Sequence, residues 1–357
     1  MSVAARYINK ELLLVLVAVT AVLLSVTIGA RFIAYLQDAA LGKFSADGIL
    51  TILYLRLPGF LQLLLPFAWS LALMLTLGRL HAESEFVVLR GGGVGPGRLL
   101  GWLAVPAIAV TAVVSYFSLH LAPDFDNQLT EFLELQRENA EFSLVTPGVF
   151  QIYYRGQRVT YAEAVSDSGD ALEGVFLAEF SHGSAPPVTV RAETGGQRVD
   201  ETTGARYLVL TDGHRYVGEA GSPDYQVVSF GRLQQRLEEG RVHRTPGIET
   251  ISSATLLERG DAEALAELHF RLALPIVVLI GGLVSVGVGR TKPRDGRFSR
   301  LVPGLGLFVA YYAAIVFNRN AISDGQMPAF LGMWIVHAAF LLIGIRLLIT
   351  SNHPARA

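Results

Sequence analysis

The sequence predicts an α-helical polytopic membrane protein, with six transmembrane helices (3+3) and an inserted all-β, jellyroll-like domain. Three observations carry that prediction. Hydrophobic residues make up 51% of the 357 positions and charged residues only 17%, against about 25% charged in an average soluble domain. The charge is also split. Residues 124–268 hold 24 acidic and 12 basic residues, a net of −12, while the remainder of the chain carries +10. Finally, the hydrophobic period is helical outside the insert and falls to two within it.

Met1–Lys10 is short and basic, and Leu12–Ala30 follows with 19 uncharged residues. A signal-peptide core runs roughly 7–15 residues, so a retained helix is expected. A bilayer core needs about 20 apolar helical residues. Leu12–Leu36, Gly48–Gly78, Leu99–Ala122, Leu272–Gly289, Leu301–Phe317 and Met327–Ile349 supply six such segments. The second contains Arg56, Pro58 and Pro66. It reads as one kinked or tilted crossing, because neighbouring helices can satisfy backbone groups that proline frees. Three regions result: 1–122 with helices 1–3, 123–268 with the β domain and its flanking helices and linker, and 269–357 with helices 4–6.

Lys and Arg set the orientation. With a cytoplasmic N-terminus, Arg6, Lys10, Arg79, Arg90, Arg98, Arg290, Lys292, Arg294, Arg297, Arg300, Arg346 and Arg356 all fall on the cytoplasmic side. The short outer loops hold little beyond Lys43 and Arg319, with Arg31 near the end of the first span. Both termini are therefore expected in the cytoplasm and the insert on the outer side, which is the periplasm in a Gram-negative bacterium.

The insert begins with a helix over 124–143, with Phe125, Leu129, Phe132, Leu133 and Gln136 on one face. Alternation then predicts strands Val149–Tyr154, Arg158–Val165, Gly174–Phe180, Val188–Glu193, Arg206–Thr211, Arg215–Glu219 and Tyr225–Gly231. Turn signals separate them at Arg155–Gln157, Ser166–Asp170, Ala185–Pro187, Thr203-Gly204 and Asp212-Gly213. Short strands at this spacing suit a sandwich or open jelly roll. Val149, Ile152, Tyr154, Val159, Tyr161, Phe176, Leu177, Val188, Val190, Leu208, Leu210, Val227 and Phe230 are the candidates for its interior. Arg232–Gly260 reads as loop and linker. Asp261 then caps a short helix, Ala262–Phe270, that leads back to the membrane.

The chemistry of enzymes is nearly absent. There is no cysteine, which excludes disulfides, thiolate metal sites and cysteine nucleophiles. Gly92–Arg98 has the glycine spacing of a phosphate loop, but Arg stands where that loop needs Lys. His120 and His337 lie near or within spans, where helix–helix hydrogen bonding and a functional role are both open. No carboxylate pair in the spans offers an ion relay. No cofactor is expected on this chain.

The stretch Thr76–Gly95 is the most informative. It leaves the second span, forms a short amphipathic helix near 79–90 with Glu83 and Glu85 at its start, and breaks at three glycines. Phe86, Leu89 and the aliphatics between them can pack down. It reads either as a capped connecting helix or as a docking helix that takes force from a cytoplasmic partner.

Here the sequence resembles the lipopolysaccharide-export permeases, the LptF/LptG (YjgP/YjgQ) family. Leu77-Gly78-Arg79-Leu80, Glu83-Ser84-Glu85 and Arg90–Val94 resemble the family's L-G-[KR]-L-x-x-[ED]-[SN]-E segment and glycine turn. Leu57-Pro58 and Leu64–Pro66 resemble its second span, and Pro147–Gln151 looks more like the F-type branch. The resemblance implies a non-catalytic permease subunit of an ABC transporter. Such subunits extract lipopolysaccharide from the outer leaflet of the inner membrane and pass it to a periplasmic jellyroll bridge. The implied partners are an LptG-like permease, a cytoplasmic LptB-like ATPase dimer that binds the ATP, a bitopic LptC-like jellyroll protein, and lipopolysaccharide itself. It implies that Glu83, Ser84, Glu85 and Arg90 dock the ATPase. It also implies that Arg31 faces lipid A phosphates, although Ala34 stands where the family has a second basic residue; interfacial snorkelling accounts for Arg31 equally well. Arg271 and Arg319 join the substrate candidates on physical grounds alone, as cations near the outer interface, and Arg56 follows them. An insert at −12 repels a polyanion, so it is expected to hold acyl chains while the phosphates stay with cations near the membrane. A membrane-anchored scaffold and a secondary transporter are the competing classes. The first leaves the charged docking helix unexplained, and the second lacks intramembrane acids.

Overall fold

A computed structural model describes residues 2–40, 44–143, 147–153, 158–166, 171–180, 186–199, 206–218, 225–236, 247–289 and 301–350. Nine helices and seven strands occur among these residues. The helices are α1 (Val3–Ala40), α2 (Ile49–Ala82), α3 (Glu85–Gly91), α4 (Pro96–Tyr116), α5 (Ala122–Ser143), α6 (Ser253–Arg259), α7 (Ala262–Val288), α8 (Leu301–Ser323) and α9 (Ala329–Thr350). A π-helical turn, Phe117–Leu121, joins α4 to α5. Six helical segments are long and apolar enough to cross a membrane, and the β strands lie between the third and the fourth. The protein is thus a polytopic helical membrane protein with an inserted β region.

Pro58 and Pro66 both sit inside α2, which is one helix, as the sequence predicts. Two boundaries differ from expectation. The short helix expected at Ala262–Phe270 is the first part of α7, which continues without a break to Val288. Nothing between Phe270 and Leu272 interrupts the helix, and Arg271 stays in it because its charge is neutralised there. The expected linker contains α6, which Ser252 caps by accepting from Thr255 N.

The chain divides into two compact units. One comprises Met1–Ala30, Leu53–Leu129 and Pro246–Ala357; the other comprises Arg31–Ile52 and Thr130–Thr245. In the helical unit α7 is central. Of its apolar window 72% is buried, against 11% for that of α1. Small residues let neighbours approach it closely, as in membrane bundles generally. A Cβ on Gly282 would lie 2.7 Å from Trp69 Nε1, and one on Gly287 would lie 2.7 Å from Leu347 Cβ. Trp69, Leu73, Leu77, Val277, Val278, Phe308 and Tyr311 fill the core between. His337 on α9 bonds the Tyr311 hydroxyl at 2.7 Å, while His120 is exposed beside Tyr116.

In the other unit the strands are β1 (Gln151–Tyr153), β2 (Arg158–Tyr161), β3 (Ala164–Val165), β4 (Ala171–Glu179), β5 (Val188–Val199), β6 (Arg206–Val217) and β7 (Gln226–Arg236). They form one antiparallel sheet in the order β1-β2-β4-β5-β6-β7, with β3 on β4. One row across this sheet is different. Gly174, Glu193, Asp212 and Gly231 stand opposite each other on β4 to β7, at the position where each ladder skips a pair. Gly174 has φ +59° and Asp212 φ +52°, a region that Gly and Asp tolerate best. At this row the buried face changes parity in every strand. Leu172 gives way to Val175 and Leu177, Val190 and Ala192 to Gly195, Leu208 and Leu210 to Gly213, and Phe230 to Leu233. One extra residue per strand therefore folds the sheet over along a line, as strands do at sandwich corners. Both halves then face one core of Ala162, Leu172, Val175, Leu177, Val190, Ala192, Leu208 and Leu210.

This corner corrects the reading of Asp212-Gly213 as a hairpin turn. Such a turn needs positive φ at both residues. Only Asp212 has it, and β6 runs straight through. Gly213 is needed for another reason: a Cβ there would lie 2.3 Å from the Arg191 carbonyl oxygen. Of the interior candidates, Leu177, Val190, Leu208 and Leu210 are buried, but Val149 and Val227 are exposed. Tyr154 and the Ile152 side chain lie outside the described residues, as do Lys43, Arg290–Arg300, Arg356 and the Thr203-Gly204 turn.

Candidate functional site

Helix α2 stops at Ala82 because Ser84 adopts a left-handed conformation, φ +60°. Helix α3 begins at Glu85 and ends at Gly91, just before Gly93 at φ +81°. Phe86 is its one buried side chain. The His81 ring stacks on Phe86 at 4.2 Å, and the Arg90 guanidinium lies 5.6 Å from the same ring. Val87 and Val88 do not pack down as expected. They are 60% and 76% exposed, because seven helical residues present one face to the core and these two fall on the other.

Arg79, one turn before the end of α2, gathers the acidic residues. Its Nε and Nη2 donate to the two carboxylate oxygens of Glu11 on α1. Nη2 also donates to the Tyr7 hydroxyl at 2.9 Å. Nη1 donates to Glu83 at 2.6 Å and to Glu85 at 3.4 Å. The Tyr7 hydroxyl in turn donates to Glu85 at 3.4 Å. Three carboxylates thus surround one guanidinium.

Near the start of α7 the stoichiometry is reversed. Glu267 is buried; its Oε1 accepts from Arg271 Nε at 2.9 Å and its Oε2 from Arg319 Nη2 at 2.5 Å. Arg271, only 2% exposed, also donates to the carbonyls of Ile248 (3.4 Å), Glu249 (2.9 Å) and Ile251 (2.9 Å) and to Ser253 Oγ (3.1 Å). Its own carbonyl accepts from Ser118 in the π-helical turn. Arg319 is about one-third exposed and lies 4.8 Å over the Phe270 ring.

A family model described as the lipopolysaccharide export system permease LptF/LptG matches residues 6–350. The chain belongs to the LptF/LptG family. It is 26% identical over 353 residues to lipopolysaccharide export system permease protein LptF of Escherichia coli K12, covering 98% of this chain and 96% of that protein. The LptF proteins of E. coli O157:H7 and Shigella flexneri match equally. The chain is thus an LptF-like permease and a multi-pass inner-membrane protein.

In this permease the structure gathers Glu83, Ser84, Glu85 and Arg90 on the α2–α3 corner. It brings Arg271 and Arg319 together on Glu267. Arg31 is exposed on α1, in the other compact unit, with Ala34 half-buried nearby. Arg56 pairs with Asp126 at 2.9 Å. Sequence reasoning missed Tyr7, Glu11 and Glu267. Glu267 had a signal in its i,i+4 spacing to Arg271. Glu11 had none, being 68 positions from Arg79.

Proposed function

We propose that this permease extracts lipopolysaccharide from the outer leaflet of the inner membrane and hands it to a periplasmic jellyroll bridge. ATP hydrolysis in a separate subunit drives the step, and this chain binds no cofactor itself. Its partners are an LptG-like permease, an LptB-like ATPase dimer and a bitopic LptC-like jellyroll protein. The termini lie in the cytoplasm and the 123–268 region in the periplasm, as the distribution of Lys and Arg demands. The single observation carrying this reading is the family match over nearly the whole chain.

The local chemistry agrees with it. The α2–α3 corner has more acid than base and two exposed valines, a surface suited to a basic, partly apolar groove. Glu83, Ser84, Glu85 and Arg90 form the docking segment. Arg319, about one-third exposed, meets headgroup phosphates, and Arg31 is a separate candidate for the same chemistry. Arg271 contributes from behind, by neutralising Glu267 and so freeing the charge of Arg319. Acyl chains lie in the apolar interior of the folded sheet.

The test is what copurifies from membranes. The ATPase and a second six-span permease are expected with the wild-type chain, and Glu85→Arg is expected to lose most of the ATPase. Unchanged recovery and unchanged ATP hydrolysis in Glu85→Arg would sink the docking role. A wild-type chain that recovers neither subunit would sink the transporter reading.

A further inference from the structure

A docking helix moves a membrane helix only if something fastens the two together. The backbone is a poor fastener here. Helix α3 has seven residues, with Ser84 at φ +60° before it and Gly93 at φ +81° behind it. It meets the rest of the helical unit through Phe86 and Leu89 on the apolar side and through the Arg79 cluster on the polar side. Phe86 shares its core with Leu80, Ile8 and Leu12, a non-directional contact that permits sliding. The Arg79 cluster is directional.

We propose that Glu11 and Arg79 form the joint through which α3 drives α1. The proposal rests on the ATPase-docking reading above. Both are positioning residues, and neither touches the transported lipid.

The geometry ranks the contacts of Arg79. Glu11 takes two of its N–H groups in a fork, the strongest arrangement available to a carboxylate. Glu85 takes one, at 3.4 Å. A basic group arriving from a partner therefore captures the loosest carboxylate, Glu85, and leaves the Glu11 fork intact. With Arg79 offset by Glu11, Glu83 and Glu85 carry the two remaining negative charges; the partner takes up that of Glu85, while Arg79 remains held to α1. Tyr7 closes the loop, since its hydroxyl accepts from Arg79 and donates to Glu85. The first three turns of α1 are thus tied to both α2 and α3 through a single guanidinium. The fork is a feature of the arginine in this chain, although the family segment also admits lysine at this position. A lysine ammonium is a single point charge and cannot serve both oxygens of Glu11 while also reaching Glu83. The joint also accounts for Glu11, an ionised side chain at the start of the least buried spanning helix, where the docking role alone gives it no purpose.

The test uses the full complex in liposomes carrying lipopolysaccharide. It reads two quantities: ATPase subunit retained, and lipopolysaccharide released per ATP hydrolysed. Glu11→Gln and Arg79→Gln are expected to keep the ATPase subunit and to lower release per ATP about tenfold, in the range of site-to-site couplings. The swap Glu11→Arg with Arg79→Glu is expected to recover much of what Arg79→Glu alone loses. Unchanged release per ATP in Glu11→Gln, or a swap no better than Arg79→Glu, overturns the joint. So does loss of the ATPase subunit from Glu11→Gln, which would make the pair docking surface instead. Failure of the docking reading looks different, because the wild type would then retain no ATPase at all.

A second measurement needs no change to the joint. The chain has no cysteine, so spin labels attached to it at Val3→Cys and Gly91→Cys mark α1 and α3; both positions are exposed, and a Cβ on Gly91 meets nothing within 4 Å. Their separation is expected to stay constant between nucleotide-free and ATP-trapped complexes. A separation that changes with nucleotide overturns the proposal.

Discussion

The helical unit contains two ion clusters built from the same side chains in opposite proportion. At the α2–α3 corner one arginine faces three carboxylates, all between 20% and 49% exposed. At the start of α7 two arginines face one carboxylate that is 7% exposed. The first cluster is net negative and wet, so its single-contact pairs to Glu83 and Glu85 are weak and exchangeable, while the Glu11 fork holds. The second is net positive and nearly dry, so its inner pair cannot be broken cheaply. Exchangeable charge suits a surface that must bind and release a protein. A locked pair with one cation left at the edge suits a fixed anchor for an anion. The difference lies in burial and stoichiometry, and neither is visible in a count of charges.

The largest effect that tests this contrast is on stability. Glu267→Ala leaves Arg271 buried without its counter-charge and should cost about 3–5 kcal/mol. Glu11→Ala removes a partly solvated pair and should cost about 1 kcal/mol or less. Thermal unfolding of the two variants in one detergent decides between them. Equal losses would mean that the two clusters do not differ in kind.

The next effect is on the lipid. Arg319→Gln keeps Glu267 paired with Arg271, so the fold is expected to hold. Retention of lipopolysaccharide should fall about tenfold, the weight of a hydrogen bond to a charged group. Arg271→Gln should do the reverse, lowering the unfolding temperature far more than it lowers retention in the fraction that stays folded. Retention that ignores Arg319 would reduce the second cluster to a structural lock.

Part of this was legible in the sequence. Apolar stretches and proline tolerance gave six crossings, because a bilayer imposes length and hydrophobicity on each helix locally. The α2–α3 corner was readable because Glu83, Ser84, Glu85 and the three glycines fall within eleven residues, 83–93. The partners of Arg79 and Arg319 were not, because each is brought in by packing, Glu11 from 68 and Glu267 from 52 positions away. The folded sheet was half legible. Alternation found Val190 and Leu208 but could not carry past Glu193 or Asp212, where the corner shifts inward positions by one. Leu172 and Val175 were missed on that account, and Val227 was placed inside when it is exposed. Asp212-Gly213 supplied the positive φ that such dipeptides promise, at a corner instead of a reversal.

The smallest effect concerns pH at the same end of α7. Asp261 caps the helix, accepting from Ala264 N at 2.8 Å and from Arg259 Nε at 2.7 Å. The backbone N–H of Ala264 chiefly, with Arg259 helping, holds its carboxyl below the usual aspartate range. A carboxyl depressed in the folded state stabilises that state above its unfolded value, and the contribution is lost as pH falls through the folded one. Asp261→Asn can still accept from Ala264 but cannot titrate. Its unfolding temperature should therefore fall less than that of the wild type between neutral pH and about pH 3. If Asp261→Asn and wild type lose stability in parallel on acidification, the Asp261 cap contributes nothing to the acid sensitivity of the protein, and the exposed carboxylate at this helix start is not an exchangeable one.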